Sequence, residues 1–206
     1  MIRVLLADDQ AMIRTALATM LNLEDDLTVV GTAGTCAEAV AVTGQTSPDV
    51  VLLDVQMPDG GLGAEDGIDA VAPLLAASPG ARVVIVTTFG RPGYLRRAIE
   101  AGAIGFMVKD APAERLVEGI RAAASGLRVV DPELAIASLS IGPSPLTEKE
   151  AQVLAVASGG ASTAEIAHAA FLSEGTVRNY LSSAIGKLGA RNRAEAIRTA
   201  VDNGWI

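Results

Sequence analysis

Five polar residues close four short apolar runs in this chain. Asp8 and Asp9 follow Val4-Leu5-Leu6-Ala7, Asp54 follows Val50-Val51-Leu52-Leu53, Thr87 follows Val83-Val84-Ile85-Val86 and Lys109 follows Phe106-Met107-Val108. Carboxylates that share a site repel when ionised, so one of them takes up a proton unless a cation neutralises the group. Mg²⁺ suits such a cluster, since it prefers oxygen ligands, keeps several waters and is typically held by one or two carboxylates plus phosphate oxygens. Asp9 and Asp54 are the candidate direct ligands, with Asp8 acting through water. Asp54, alone at the end of its run, is the candidate nucleophile, because a carboxylate can form an aspartyl-phosphate when the incoming group is stabilised. Positioning and charge stabilisation on the phosphoryl oxygens fall to Lys109 and the Thr87 hydroxyl. The chemistry expected is Mg²⁺-assisted phosphoryl transfer to an aspartate.

These residues act together only if the runs are strands whose ends converge. Strands are expected at about residues 2–7, 27–32, 50–54, 83–87 and 105–108, alternating with helical segments as a parallel sheet with crossover helices requires. In an open parallel sheet, ligands bind in the crevice outside the carboxyl ends of the strands. Thr35-Cys36-Ala37-Glu38 reads as a capping box. Pro92 is placed to open a helix ending near Gly102. A last helix is expected over 113–124, carrying Leu116, Val117 and Ile120 on one face and stopped by Ser125-Gly126. Any one of these polar residues could merely cap the next helix. The ordered set argues for a site.

The pattern Asp8-Asp9, Asp54 followed by Met57-Pro58, Thr87-Thr88 and Lys109 resembles the receiver domain of two-component response regulators. That resemblance implies an α/β doubly wound, flavodoxin-like sheet of five parallel strands in the order 2-1-3-4-5. It also implies that Asp54 accepts a phosphoryl group from a sensor histidine kinase, and that Asp8, Asp9 and Asp54 bind Mg²⁺ with the Gln56 backbone carbonyl. Thr87 and Lys109 would contact the phosphate, and Gln56 and Phe89 would flank the site and tune hydrolysis. Three departures are visible. The loop from Asp59 to Glu65 is longer than the family's usual form, rich in glycine and expected to be mobile. Phe106, the expected switch partner of Thr87, stands where many receivers have a switching tyrosine. Asp110 follows Lys109, where many receivers have a proline.

The 206 residues exceed what one such domain needs, since domains usually run about 100 to 150 residues. Half are apolar and only 3% aromatic, so Ala, Val, Leu and Ile must build the cores. One cysteine, Cys36, excludes an internal disulfide, suits a reducing cytosol and reads as a small buried apolar residue. With neither a signal-like start nor an apolar run of about 18 residues, the expectation is a soluble, cytoplasmic protein. Residues 1–143 hold 10 Lys and Arg against 18 Asp and Glu, whereas residues 144–206 hold 6 of each. All of the net charge of −8 thus lies in the first part. Residues 126–145 include Asp131-Pro132-Glu133-Leu134, which could start a short helix, and Gly142-Pro143-Ser144-Pro145, which a helix cannot cross. The division expected is 1–125, a connecting segment 126–145, and 146–206.

The last part reads as four short capped helices. Thr147-Glu148-Lys149-Glu150, Ser162-Thr163-Ala164-Glu165 and Asn192-Arg193-Ala194-Glu195 have capping-box form, and Ser173 caps another helix. Only Phe171-Leu172 separates the second helix from the third, as in a helix-turn-helix, whose second helix enters the major groove. Leu146-Thr147, Glu165-Ile166-Ala167, the run from Leu172 to Tyr180, and Lys187-Leu188 resemble the LuxR-type domain of the NarL/FixJ response regulators. Several strings, among them Arg91-Pro92-Gly93-Tyr94 and Gly204-Trp205, are similar to the branch that controls fatty-acid desaturase genes. From position on the helix, Arg178, Asn179 and Ser182, with Ser183 beside them, are expected to face bases in double-stranded DNA, and Thr176, Lys187 and Arg191 to face phosphates. The expected whole is a transcription factor, not an enzyme, in which phosphorylation favours a homodimer on DNA. Haloacid-dehalogenase chemistry is disfavoured because neither Asp8-Asp9-Gln10 nor Asp54-Val55-Gln56 pairs aspartates one residue apart. A regulator that works without phosphate is the alternative; such chains usually lack one of the five residues kept here. His168 has no second ligand at metal spacing and reads as a surface position.

Overall fold

A computed structural model describes residues 1–64, 66–88, 90–139 and 142–206. Phe89 and Glu65 therefore lie outside the described residues. The chain divides into two compact units, residues 1–90 with 95–135 and residues 91–94 with 136–206.

The first unit is a parallel sheet. Its strands are β1 (Ile2–Ala7), β2 (Leu27–Ala33), β3 (Val50–Leu53), β4 (Arg82–Thr87), β5 (Gly105–Val108) and β6 (Val129–Val130), in the order 2-1-3-4-5-6. The sixth strand extends the five expected from sequence and falls in the segment read as a connection. Val129 and Val130 pair with Gly105 and Phe106 at the sheet edge. The helices are α1 (Ala11–Leu21), α2 (Cys36–Thr46), α3 (Val71–Ala77), α4 (Pro92–Glu100) and α5 (Ala113–Ala124). A 3-10 turn, Gly67–Ala70, precedes α3. Strands β3 and β4 are buried on both faces, which is why they read as unbroken apolar runs rather than alternating ones. Val4, Leu6, Leu52, Val84 and Val86 line one face together with Leu116, Val117 and Ile120 of α5. In-register pairing of β1 with β3, and of β3 with β4, sets Ala7 beside Leu53 and Leu53 beside Ile85. The strand ends are thereby brought level, and the polar residues that follow share one edge.

The second unit is helical: α7 (Glu148–Ser158), α8 (Thr163–Ala170), α9 (Glu174–Lys187) and α10 (Arg193–Asp202) follow α6 (Pro132–Leu139), which straddles the division between the units. Reciprocal capping boxes start α7 and α8, each cap contributing about 1 kcal/mol. Two expected boxes close differently. Thr35 and Asn192 accept the amides of Glu38 and Glu195, but the glutamates reach one residue further back, to the amides of Gly34 and Arg191. The core is built from Val153, Leu154, Ile166, Val177, Leu181, Ala184 and Ala196. No helix among the described residues is long and apolar enough to cross a membrane.

Candidate functional site

Asp8, Asp9 and Asp54 meet at the carboxyl edge of the sheet, with one ligand oxygen from each lying within 4.8 Å of the others. Asp8 and Asp54 are buried and Asp9 is exposed, so the cluster is open to solvent on one side. The Asp8 amide and the Asp54 amide donate to Ala33 and Ala7 carbonyls, continuing the ladder and fixing both side chains at their root. Lys109 reaches in from the end of β5. Its Nζ lies 2.6 Å from Asp8 Oδ2 and 2.7 Å from Asp54 Oδ2. Burial works against the Lys109 charge, but the hydrogen bonds and charges of Asp54 and Asp8 outweigh it and hold the ammonium above the usual lysine value. The Lys109 amide donates to the Thr87 carbonyl at 2.8 Å, which locks the ends of β4 and β5 together. Thr87 is buried at the same edge, and Phe106, fully buried, sits two residues along β5 from the partner of Thr87.

The two oxygens of Asp54 differ. Oδ2 is held by Lys109, whereas Oδ1 is buried and has no hydrogen-bond partner among the described residues. A buried carboxylate oxygen left bare costs free energy. A cation bound among these carboxylates would satisfy it. Three carboxylates against one ammonium leave the cluster negative, and an all-oxygen donor set of this size fits a hard divalent ion.

Sequence reasoning did not find the residues that shape the site from below. A Cβ on Gly67 would lie 1.9 Å from the Asp54 carbonyl oxygen, so this position excludes any side chain; the lone glycine of Asp66-Gly67 was the available signal. Arg14 donates to the Asp8 carbonyl from α1, an interaction that leaves no mark on sequence spacing. The loop after β3 is also held. Asp59 accepts the amides of Gly61 at 3.0 Å and Ala64 at 2.7 Å, and the Cys36 and Ala37 amides of α2 bind the Pro58 and Asp59 carbonyls. Cys36 beneath it is fully buried, and burial first, then the nearby Asp59, Asp66 and Asp69 charges, push its thiol up to about 11. These bonds tie residues 58–64 to their own aspartate and to α2.

In the second unit, Ser173 accepts the Thr176 amide and starts α9. Val177, Leu181 and Ala184 face the core at helical spacing, which turns Arg178, Asn179 and Ser182 outward, where all three are exposed. Thr176 lies 2.8 Å from the Ser173 hydroxyl, and Arg191 is exposed beside Glu195. Ser183 and Lys187 are exposed as well, and they reach across to another helix. The Ser183 hydroxyl donates to Glu150 Oε1 at 2.7 Å and Lys187 Nζ lies 2.6 Å from Glu150 Oε2, so both side chains already have a protein partner. His168 is exposed on α8.

Residues 4–121 match the family described as the response regulator receiver domain, and residues 144–200 match the bacterial regulatory proteins of the luxR family. The chain is 41% identical to the transcriptional regulatory protein DesR of Bacillus subtilis over the whole of both chains. It is 41% identical to the response regulator RamR of Streptomyces coelicolor, covering 100% of this chain and 98% of that one. Among solved structures, the response regulator ChrA of a heme-sensing two-component system is 34% identical. There the TM-score is 0.57, with coverage of 100% of this chain and 98% of that one.

Proposed function

Because the chain belongs to the two-component response regulators that join a receiver to a LuxR-type DNA-binding domain, a family of transcription factors rather than enzymes, we propose that Asp54 is its phosphorylation switch. The observation that carries this reading is the bare, buried Oδ1 of Asp54 beside a lysine that holds Oδ2. A carboxylate oxygen of Asp54 attacks the phosphorus of a phosphohistidine on a sensor kinase. The new P–O bond forms as the P–N bond breaks, and the electron pair leaves with the imidazole nitrogen. Lys109 orients Asp54 and balances charge on the phosphoryl oxygens, and the Thr87 hydroxyl donates to them once the group is in place. Asp8, Asp9 and Asp54, with the Gln56 backbone carbonyl, would hold Mg²⁺, which when bound neutralises charge on the transferring group. Gly67 keeps the Asp54 backbone free to sit against the turn before α3.

Phosphorylation adds about two negative charges to a cluster that is already acidic. The movement of Thr87 and Lys109 toward them, against the buried Phe106, favours a homodimer. Each protomer then presents α9 to a major groove, with Arg178, Asn179 and Ser182 at bases and Thr176 and Arg191 at phosphates, on half-sites roughly 34 Å apart. The receiver spans 1–125, a connection 126–145 lends Val129–Val130 to the sheet edge, and the DNA-binding domain spans 146–206. With a kinase and chromosomal DNA as partners, the protein works in the cytoplasm. Size-exclusion chromatography and DNA retention of the full chain, with and without a small-molecule phosphodonor and Mg²⁺, test the reading. A donor-dependent dimer with tighter DNA binding, lost in Asp54→Asn, is expected. Equal binding by both proteins, whatever the donor, would make this a regulator independent of phosphate.

A further inference from the structure

Three carboxylates are buried among the described residues, and Glu150 is the one outside the acidic site. It lies in the first turn of α7 and closes the capping box there, Oε2 accepting the Thr147 amide at 2.7 Å. A box needs nothing more, yet the same carboxylate also binds Ser183 through Oε1 and Lys187 through Oε2. Ser183 and Lys187 are one turn apart and so lie on one stripe of α9. Glu150 therefore grips the helix at two points, while Val177, Leu181 and Ala184 hold the neighbouring stripe in the core. Rotation of α9 about its axis is blocked from both sides.

That rotation governs which side chains meet DNA. A turn of about 30° at a side-chain radius of about 6 Å moves the tips of Arg178, Asn179 and Ser182 by about 3 Å, beyond the tolerance of a paired hydrogen bond to a base. The charge of Lys187 is also committed. Burial opposes ionisation of Glu150, but the bonds from Lys187, the Thr147 amide and Ser183 outweigh it and hold the carboxyl down at about 2, so the carboxylate stays ionised at neutral pH. Resting on the assignment of α9 as the DNA-reading helix, we propose that Glu150 is a positioning residue for DNA recognition, clamping that helix through Ser183 and Lys187, and that Lys187 serves the clamp rather than a DNA phosphate.

The test uses the full chain treated with a small-molecule phosphodonor and Mg²⁺, and two duplexes. One is enriched by the wild type from a randomised pool and the other is a scramble of it. A phosphate contact contributes about 0.9 per protomer to the slope of log affinity on log salt. Arg191→Ala is expected to lose that amount on the scrambled duplex, and Lys187→Met to keep the wild-type slope; a loss of about 0.9 in Lys187→Met overturns the proposal. Glu150→Gln keeps one carbonyl oxygen for the Thr147 amide and turns an NH2 toward the Ser183 hydroxyl, which can accept from it, while removing the charge that holds Lys187. Its ratio of enriched to scrambled affinity is expected to fall about tenfold, the size of one poorly placed base contact, while its salt slope steepens. An unchanged ratio overturns the clamp. Ser183→Ala, which removes one hydroxyl, keeps the question open to test if Glu150→Gln does not fold. It should lower the ratio about threefold with wild-type circular dichroism, and a wild-type ratio there overturns the clamp. Failure of the wild type itself to enrich any duplex would instead remove the DNA-reading assignment.

Discussion

In the receiver, Lys109 lies 2.6 Å from Asp8 and 2.7 Å from Asp54; in the DNA-binding unit, Lys187 lies 2.6 Å from Glu150. Distance does not separate the two pairs. What separates them is what the remaining oxygens do. Glu150 uses both of its oxygens on the Thr147 amide, Ser183 and Lys187. Asp54 leaves Oδ1 bare, beside two further carboxylates and one open side. A satisfied buried ion pair positions its surroundings, and breaking it costs stability. An unsatisfied one leaves a bare acceptor and mutual repulsion that a bound cation would relieve. The two sites are thus expected to respond to the same kind of substitution with opposite signs.

The largest effect expected is chemical. Lys109→Ala removes the single ammonium of the acidic site and should lower the rate of phosphorylation by a small donor about 100-fold or more, read as the time course of adduct by intact mass. A rate within threefold of wild type would show that the lysine only fills space. Next in size, Glu150→Ala breaks a cap and an ion pair together and should destabilise residues 146–206 by about 2 kcal/mol, allowing for the part-exposed lysine. Amide hydrogen exchange resolved to the two units reports it, and loss of protection in the receiver alone would contradict the comparison. The opposite sign belongs to Asp54→Asn, which takes one charge out of a repelling cluster. In metal-free buffer it should stabilise the receiver by about 1 kcal/mol, against a denaturant midpoint that falls if the Asp54–Lys109 pair is net stabilising.

Acid gives the smallest and most gradual difference. The Glu150 carboxyl is lowered from 4.5 to about 2, first against its burial and by way of Lys187, the Thr147 amide and Ser183. A carboxyl with a depressed folded value contributes stability that is present above the unfolded value and lost as pH falls through the folded one. Protection in residues 146–206 should therefore weaken between about pH 4.5 and pH 2, and Glu150→Gln should flatten that dependence. An unchanged slope would mean that the clamp is not formed in solution.

Much of the acidic site was legible because a parallel sheet makes strand ends converge, so five residues far apart in sequence needed only an apolar run before each. The helices of the second unit were legible from local pairs such as Thr147 with Glu150. What sequence did not carry is contact between elements. Glu150 and Lys187 are 37 residues apart, and nothing in the spacing says that a capping glutamate also holds α9. Ser183 and Lys187 read as DNA-facing because their positions are polar and exposed in pattern, and the same pattern does not reveal that both also bind Glu150 of α7. Val129–Val130 reads as part of the connection because two residues between Arg128 and Asp131 show no strand period. Gly67 matters through a backbone approach that only a packed structure exposes.

The central claim is that Asp54 is the residue of this molecule that accepts a phosphoryl group. Intact mass of the wild type and of Asp54→Asn after incubation with a small-molecule phosphodonor, in Mg²⁺ and then in chelator, tests it directly. The account predicts one phosphoryl adduct on the wild type in Mg²⁺, very little in chelator, and none on Asp54→Asn. An equal adduct on Asp54→Asn would contradict it, as would an acceptor mapped to Asp8 or Asp9 in the wild type.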